Sequence, residues 1–195
     1  MERVVVYGVS GFIGRNLVEQ LSNKYDLLTP SRIEANVESI FPVLNNVDVV
    51  VNLVNANDNL KVFQNITHYY SGKVITIGSG AEYDHSLPIK NVTEDFDRKP
   101  KDAYGLGKYY ISKQAYVRPG IIVLRPFGVF GQYEDFTRRF ISKAIIDSMI
   151  PQPITIFQDC KYSYVWVNDL IKIIDYFIQH DAKYKFYNVG GHQIT

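Results

Sequence analysis

The sequence predicts an α/β protein in which helices cover both faces of a parallel sheet. Two observations carry this. Short Val/Ile-rich runs at Arg3–Tyr7, Leu27–Thr29, Val47–Leu53, Lys73–Ile77 and Ile121–Leu124 are continuously apolar rather than alternating, as strands buried on both faces must be. Between them lie segments of helical period, Phe12–Leu21, Val37–Leu44, Leu60–Tyr69 and Tyr104–Tyr116, so strand and helix alternate along the chain.

Beyond Leu124 the texture changes. A loop is expected over Arg125–Gln132, a helix over Asp135–Met149 and a break at Pro151-Gln152-Pro153. Strands then follow at Ile154–Phe157 and Tyr162–Val167, a helix over Asn168–Gln179 with Asn168 as N-cap, and a strand at Phe186–Val189. The expected organisation is a dinucleotide-binding core over residues 1–130, rejoined by 154–180, with a substrate lobe from 131–153 and 181–195. That lobe is small: either it is minimal or the chain is truncated there.

Composition excludes several classes. With 195 residues, 46% hydrophobic and 21% charged, the chain fits one ordinary globular unit. A net charge of +1 without a Lys/Arg run gives no footprint for nucleic acid. One cysteine, Cys160, forms no internal disulfide, and no apolar run is long enough for a membrane span or a signal h-region, so the expected location is cytoplasmic. The histidines His68, His85, His180 and His192 lack ligand spacing, and no metal site is expected.

The strongest local motif is Gly8-Val9-Ser10-Gly11-Phe12-Ile13-Gly14, which follows a strand and opens a helix. Gly8 permits the tight turn, Gly11 lets backbone approach a pyrophosphate, and Gly14 allows close helix–strand packing; Phe12 and Ile13 supply the first helical amides. This makes the sheet a Rossmann-like doubly wound one. After the second strand, Thr29-Pro30-Ser31-Arg32 lacks the acid that would bind an unphosphorylated ribose. Arg32 can pair with a 2′-phosphate and Ser31 can donate to it, so NADP is expected over NAD. Arg15 is either a second cationic contact or a solvated surface group.

Tyr104 and Lys108 stand four apart, on one face of a helix. A phenol is a poor acid or base at neutral pH unless a nearby cation stabilises its phenolate, and Lys108 is expected to be that cation. Ser79 falls just beyond the strand Lys73–Ile77, at the carboxyl edge where such sheets bind ligands. Serine would hold a carbonyl oxygen while Tyr104 passes a proton and a nicotinamide passes hydride.

With these residues in view, the sequence resembles the extended short-chain dehydrogenase/reductases, the NAD-dependent epimerase/dehydratase family of nucleotide-sugar enzymes. The glycine turn resembles that family's opening, and Asp48–Asn55, which contains Leu53, resembles its fourth strand. Ile77-Gly78-Ser79-Gly80-Ala81-Glu82-Tyr83 resembles the segment whose serine, four before a tyrosine, is catalytic. Leu124–Gly131, Tyr164–Leu170 and Tyr187–Gly191 resemble its Leu-Arg-Pro, Phe-Val-x-Val-Asp-Asp and Tyr-Asn-Val-Gly segments. The resemblance implies an enzyme with Ser79, Tyr104 and Lys108 as catalytic residues. It implies cofactor contacts from Gly8, Gly11, Phe12, Ile13, Gly14, Ser31, Arg32, Leu53, Tyr104 and Lys108. The expected reaction is NADP(H)-dependent reduction at C4 of a nucleotide-activated keto sugar. A 4-epimerase that retains its cofactor is the alternative, and an NADP(H)-binding sensor or scaffold with a degenerate site is the alternative of another class. A homodimer is the candidate assembly.

Departures narrow this. Gly80 and Ala81 stand where sugar 4,6-dehydratases carry Asp and Glu, and Ala81 also replaces the cysteine of C3/C5 epimerases, so neither chemistry is expected. Tyr162 occupies the place of an arginine that grips pyrophosphate, and Gly128 that of an asparagine. The aromatics of Phe157–Trp166 and Tyr176–Tyr187 are expected in the core. Arg138-Arg139 is expected on a solvated helix face, since adjacent helical residues diverge and at most one could reach an anionic substrate.

Overall fold

A computed structural model describes residues 1–31, 43–54, 56–84, 91–150, 152–156, 162–191 and 193–194. Its main sheet has six parallel strands in the order β2-β1-β3-β4-β5-β8. These are β1 (Arg3–Tyr7), β2 (Asp26–Leu28), β3 (Val49–Asn52), β4 (Lys73–Ile77), β5 (Ile121–Pro126) and β8 (Phe186–Val189). The register runs through Val4↔Leu27, Val5↔Val50, Val50↔Val74, Ile75↔Ile122 and Leu124↔Tyr187.

The apolar runs are explained by the two cores. Val4, Val6, Val49 and Val51 face one way, against α1 (Phe12–Leu21) and α5 (Val167–Gln179) through Leu17, Leu21, Leu170, Ile171 and Ile174. Val5, Tyr7, Val50 and Val74 face the other way, against α2 (Ala56–Tyr69) and α3 (Ala103–Tyr116) through Phe63, Ile66, Ile111 and Ala115. A strand with apolar neighbours on both faces has no polar side to alternate with. In α5 the buried set Val167, Leu170, Ile171, Ile174, Phe177 and Ile178 keeps helical period, and this is the face laid on the sheet.

After Pro126 the chain leaves the main sheet. β6 (Gly128–Phe130) pairs in parallel with β7 (Tyr162–Trp166), and β7 pairs antiparallel with β9 (Gln193–Ile194). Gly128 is required here by packing: a Cβ would lie 2.8 Å from the Tyr164 ring and 2.9 Å from the Tyr162 ring. The helix α4 (Phe140–Met149) lies between β6 and β7 in sequence.

Several bounds differ from expectation for local reasons. Asp135 accepts from the Thr137 amide at 3.0 Å and from its hydroxyl at 2.6 Å, a turn that keeps residues 135–139 out of α4. Asn168 does not cap α5, because its Oδ1 accepts from Gln20 of α1 at 2.9 Å and the helix begins one residue earlier. Arg125 and Pro126, expected in a loop, extend β5 by pairing with Asn188 and Val189. That pairing also puts residues 186–189 in the main sheet rather than in the smaller lobe. Ile154–Ile156 forms no strand. Residues 37–42 of the expected helix Val37–Leu44 and Phe157 lie outside the described residues.

The β1–α1 turn gives a direct test of this packing. A Cβ on Gly14 would come within 2.2 Å of the Gly8 carbonyl oxygen and 2.6 Å of the Val9 Cα, and backbone cannot yield as a side-chain tip can. Gly14→Ala should therefore destabilise the protein by about 2–3 kcal/mol, read as a fall in Tm of roughly 4–12 °C by differential scanning calorimetry; an unchanged Tm would show that the turn relaxes freely.

Candidate active site

The chain runs from β1 to one side of the sheet and returns through β3 on the other, which opens a crevice at the carboxyl ends of these strands. A cleft of about 600 Å³ occupies it. Gly11, Phe12, Ile13, Leu53 and Val54 form one end, Ser79, Tyr104 and Lys108 lie further along, and Phe127, Arg138, Arg139, Tyr162 and Tyr164 are on the facing wall.

The turn at the head of α1 is built for an anion. Gly8 has φ +88°, and a Cβ there would lie 2.7 Å from the Leu53 carbonyl carbon, so the ends of β1 and β3 meet backbone to backbone. Gly8 and Gly14 are thus demanded by the chain itself. Gly11 is different: its Cβ would meet only the Gly8 oxygen at 3.3 Å, leaving room on the cleft side. Gly11 caps α1 without a side-chain acceptor, and the first turn contains no acid. The leading amides and the positive end of the helix dipole therefore face the cleft uncompensated.

Ser79 sits past the end of β4 and caps a 3₁₀ turn, Gly80–Glu82. Its Oγ accepts from the Ala81 amide at 3.1 Å, and its own amide donates to Glu82 Oε1 at 3.1 Å. Asp102 caps α3 by accepting from the Gly105 amide at 2.6 Å. A Cβ on Gly105 would be 2.3 Å from the Ala81 carbonyl oxygen, so only glycine lets this helix end reach the Ser79 turn. The approach places the Ser79 hydroxyl beside the Tyr104 phenol at the cleft.

Lys108, one helical turn on, is 3% exposed and donates through Nζ to the Ile77 carbonyl at 2.8 Å. Its Nζ lies 5.8 Å from the Tyr104 ring centre. Burial brings the ammonium pKa down to about 8, against the opposing charge of Glu82. The Tyr104 phenol moves the other way. Although the residue as a whole is 43% exposed, its hydroxyl is desolvated enough to titrate above the usual phenol range. Ser79 and the cation of Arg139 oppose that rise, while Asp102 and Glu82 add to it. Arg139 therefore joins Lys108, which lies over the Tyr104 ring, as a cation near the phenol.

Other expected site residues fall as follows. Ser31 is exposed beyond β2, away from the residues lining the cleft, and Arg32 lies outside the described residues. Arg15 donates to the Ser10 carbonyl at 3.1 Å and lies over the Tyr133 ring. Arg138 and Arg139 both line the cleft, contrary to the expectation that at most one would, because the 135–139 turn holds them off helical geometry. Tyr162 and Tyr164 line it too rather than filling core. Among the described residues no His/Cys/Asp/Glu cluster could hold a metal. Sequence reasoning missed Glu134, on the cleft wall, and Glu82, fully buried beneath Ser79. The spacing Ser79-x-x-Glu82 was the available signal for the latter.

The solved dTDP-glucose 4,6-dehydratase of Bacillus anthracis superposes with a TM-score of 0.86 at 17% identity, over 100% of this chain and 77% of that one. The dTDP-4-dehydrorhamnose reductase of the same organism gives 0.84 at 19% identity, over 97% and 75%. A UDP-N-acetylglucosamine 4-epimerase of Methanobrevibacter ruminantium gives 0.82 at 21%, over 99% and 78%. At these identities the likeness establishes a shared fold. No curated protein matches the sequence. A sequence profile matches residues 41–190, starting beyond the glycine turn and spanning most of the chain. The chain therefore belongs to the NAD dependent epimerase/dehydratase family of enzymes.

Proposed function

We propose that this protein is an NADP(H)-dependent reductase acting at a carbonyl, C4 of a nucleotide-activated keto sugar. The observation that carries the reading is the meeting of Ser79 and Tyr104, backed by buried Lys108, in the cleft that also receives the open head of α1. The space at Gly11 and the uncompensated amides of Phe12 and Ile13 fit a pyrophosphate. Leu53 would flank the dinucleotide, Gly8 and Gly14 would shape its turn, and Lys108 would hold it at the reacting end. The preference for NADP rests on Ser31-Arg32, where no acid would repel a 2′-phosphate.

Bound NADPH supplies hydride to the carbonyl carbon. Ser79 holds the carbonyl oxygen, and Tyr104 gives that oxygen its proton, the phenolate then recovering one from water. A phenol held above its usual pKa is protonated at neutral pH, which suits a donor in reduction; oxidation would need the phenolate first. Residues 131–153 would supply the substrate wall, with Arg138 and Arg139 facing the anionic diphosphate of the bound nucleotide sugar. Relatives of the same fold include enzymes named for dTDP- and UDP-linked sugars, which agrees with such a substrate. A cytoplasmic homodimer is the setting proposed.

Two variants test this. Gly11→Val should keep the fold, by circular dichroism, and weaken NADPH binding on the order of 10²-fold, about 2.7 kcal/mol, in titration calorimetry; unchanged affinity would make the turn purely structural. With a panel of nucleotide-activated 4-keto sugars, the parent should oxidise NADPH. Tyr104→Phe should lose ~10²–10⁴-fold in turnover while binding NADPH as the parent does. Turnover above about a tenth of the parent's would remove Tyr104 from proton transfer. Tightly held cofactor without net NADPH consumption would favour epimerisation instead.

A further inference from the structure

Beneath Ser79 lies a buried ion pair that the proposed chemistry does not use. Glu82 and Arg125 are both 0% exposed at their side chains, with Nε and Oε2 3.2 Å apart. The contact is ionic without hydrogen-bond alignment. Arg98 Nη1 lies 3.7 Å from the same oxygen, and Arg125 Nη2 donates to Ser112 Oγ of α3 at 3.4 Å. Burial raises the Glu82 pKa, and Arg125 is the largest influence against that rise. Arg125 cannot give up its proton, so a neutral Glu82 would leave a buried guanidinium without its counter-charge; the pair is ionised at neutral pH.

A surface capping box contributes little, and burying two charges is costly, so a fold needing only a turn here would be served by apolar residues. What the carboxylate adds is orientation. Oε1 takes the Ser79 amide, which fixes the serine backbone. The Ala81 amide then occupies Ser79 Oγ as an acceptor. A hydroxyl has one proton to give, and with Oγ engaged in this way that proton is directed to the Tyr104 oxygen. The phenol proton is left for a substrate.

We propose that Glu82 is a positioning residue: clamped by Arg125, it fixes the Ser79 turn so that the serine hydroxyl donates to Tyr104 in the free enzyme and turns the same proton to the carbonyl oxygen when a keto sugar is bound. The proposal rests on the reading of Ser79 and Tyr104 given above. The charged and titratable groups around Glu82 are Arg125 from β5, Arg98 from the preceding loop, and Lys108 and Tyr104 from α3. Asp102 and Arg139 act on the same phenol from the cap of α3 and the wall. Losing Glu82 releases the Ser79 hydroxyl, the largest influence holding the Tyr104 pKa down, whereas the Glu82 charge is a smaller influence raising it, so the phenol should titrate at higher pH.

Two variants are needed, since Glu82→Gln leaves Arg125 uncompensated and can unfold the chain. The double variant Glu82→Leu/Arg125→Met replaces the pair by apolar groups of similar bulk. In ligand-free protein, ¹³Cζ-tyrosine NMR, with Tyr104 assigned through Tyr104→Phe, should show Tyr104 titrating higher than in the parent in each folded variant. With NADPH and keto sugar, kcat should fall about tenfold or more, as expected when a reacting group is misplaced. The KM for NADPH should stay within about twofold and the basic limb of kcat should move to higher pH. An unmoved Tyr104 titration, a kcat in the double variant within twofold of the parent, or loss of folding in both variants would overturn the proposal. A parent that reduces no keto sugar defeats the functional reading instead, and the NMR titration then decides the Glu82 geometry alone.

Discussion

The architecture of the cleft depends on β1 being an internal strand whose two neighbours, both later in the chain, lie on opposite sides of it. β2 lies on one side and β3 on the other, both parallel to β1. Parallel pairing forces each connection back across a face of the sheet, so every loop that follows a strand emerges at the same edge. The glycine turn after β1, Leu53 and Val54 after β3, Ser79 after β4 and Phe127 after β5 converge for that reason. Helix α3 then adds Tyr104 and Lys108 from the side, through an approach that Gly105 alone permits.

Convergence does not set chemistry; burial does. Lys108 and Tyr104 occupy one helix face, yet desolvation moves their titrations apart, the ammonium down and the phenol up. Lys108 is spent on the last carbonyl of β4, which ties α3 to the strand that carries Ser79. Arg139, from a segment far along the chain, adds a second cation that acts on the phenol. The polarity of the site is therefore shared between the sheet and the wall formed after β6.

Much of this was legible in the sequence, and the limits have physical causes. The bounds of β1, β4, α1 and β8 could be read because apolar continuity and helical period are local signals. The start of α4 could not, because the Asp135–Thr137 turn competes with helix by side-chain bonding that propensity does not register. The same turn hid the cleft-facing position of Arg138 and Arg139. Gly128 read as a lost asparagine; in the structure two tyrosine rings fill the place a Cβ would take, a contact made between β6 and β7. Glu82 was missed because its partner Arg125 is distant in sequence and its capping spacing is ordinary.

The central claim is that hydride passes to a sugar carbonyl held between Ser79 and Tyr104. The most direct measurement uses NADPH deuterated at the nicotinamide C4, each face in turn, with nucleotide-activated 4-keto sugars, and locates the label in the product by mass spectrometry and NMR. The account predicts one deuterium at sugar C4, from one cofactor face only, with one NADPH consumed per product. Product free of deuterium from either face, or an epimerised sugar formed with no NADPH consumed, would contradict it.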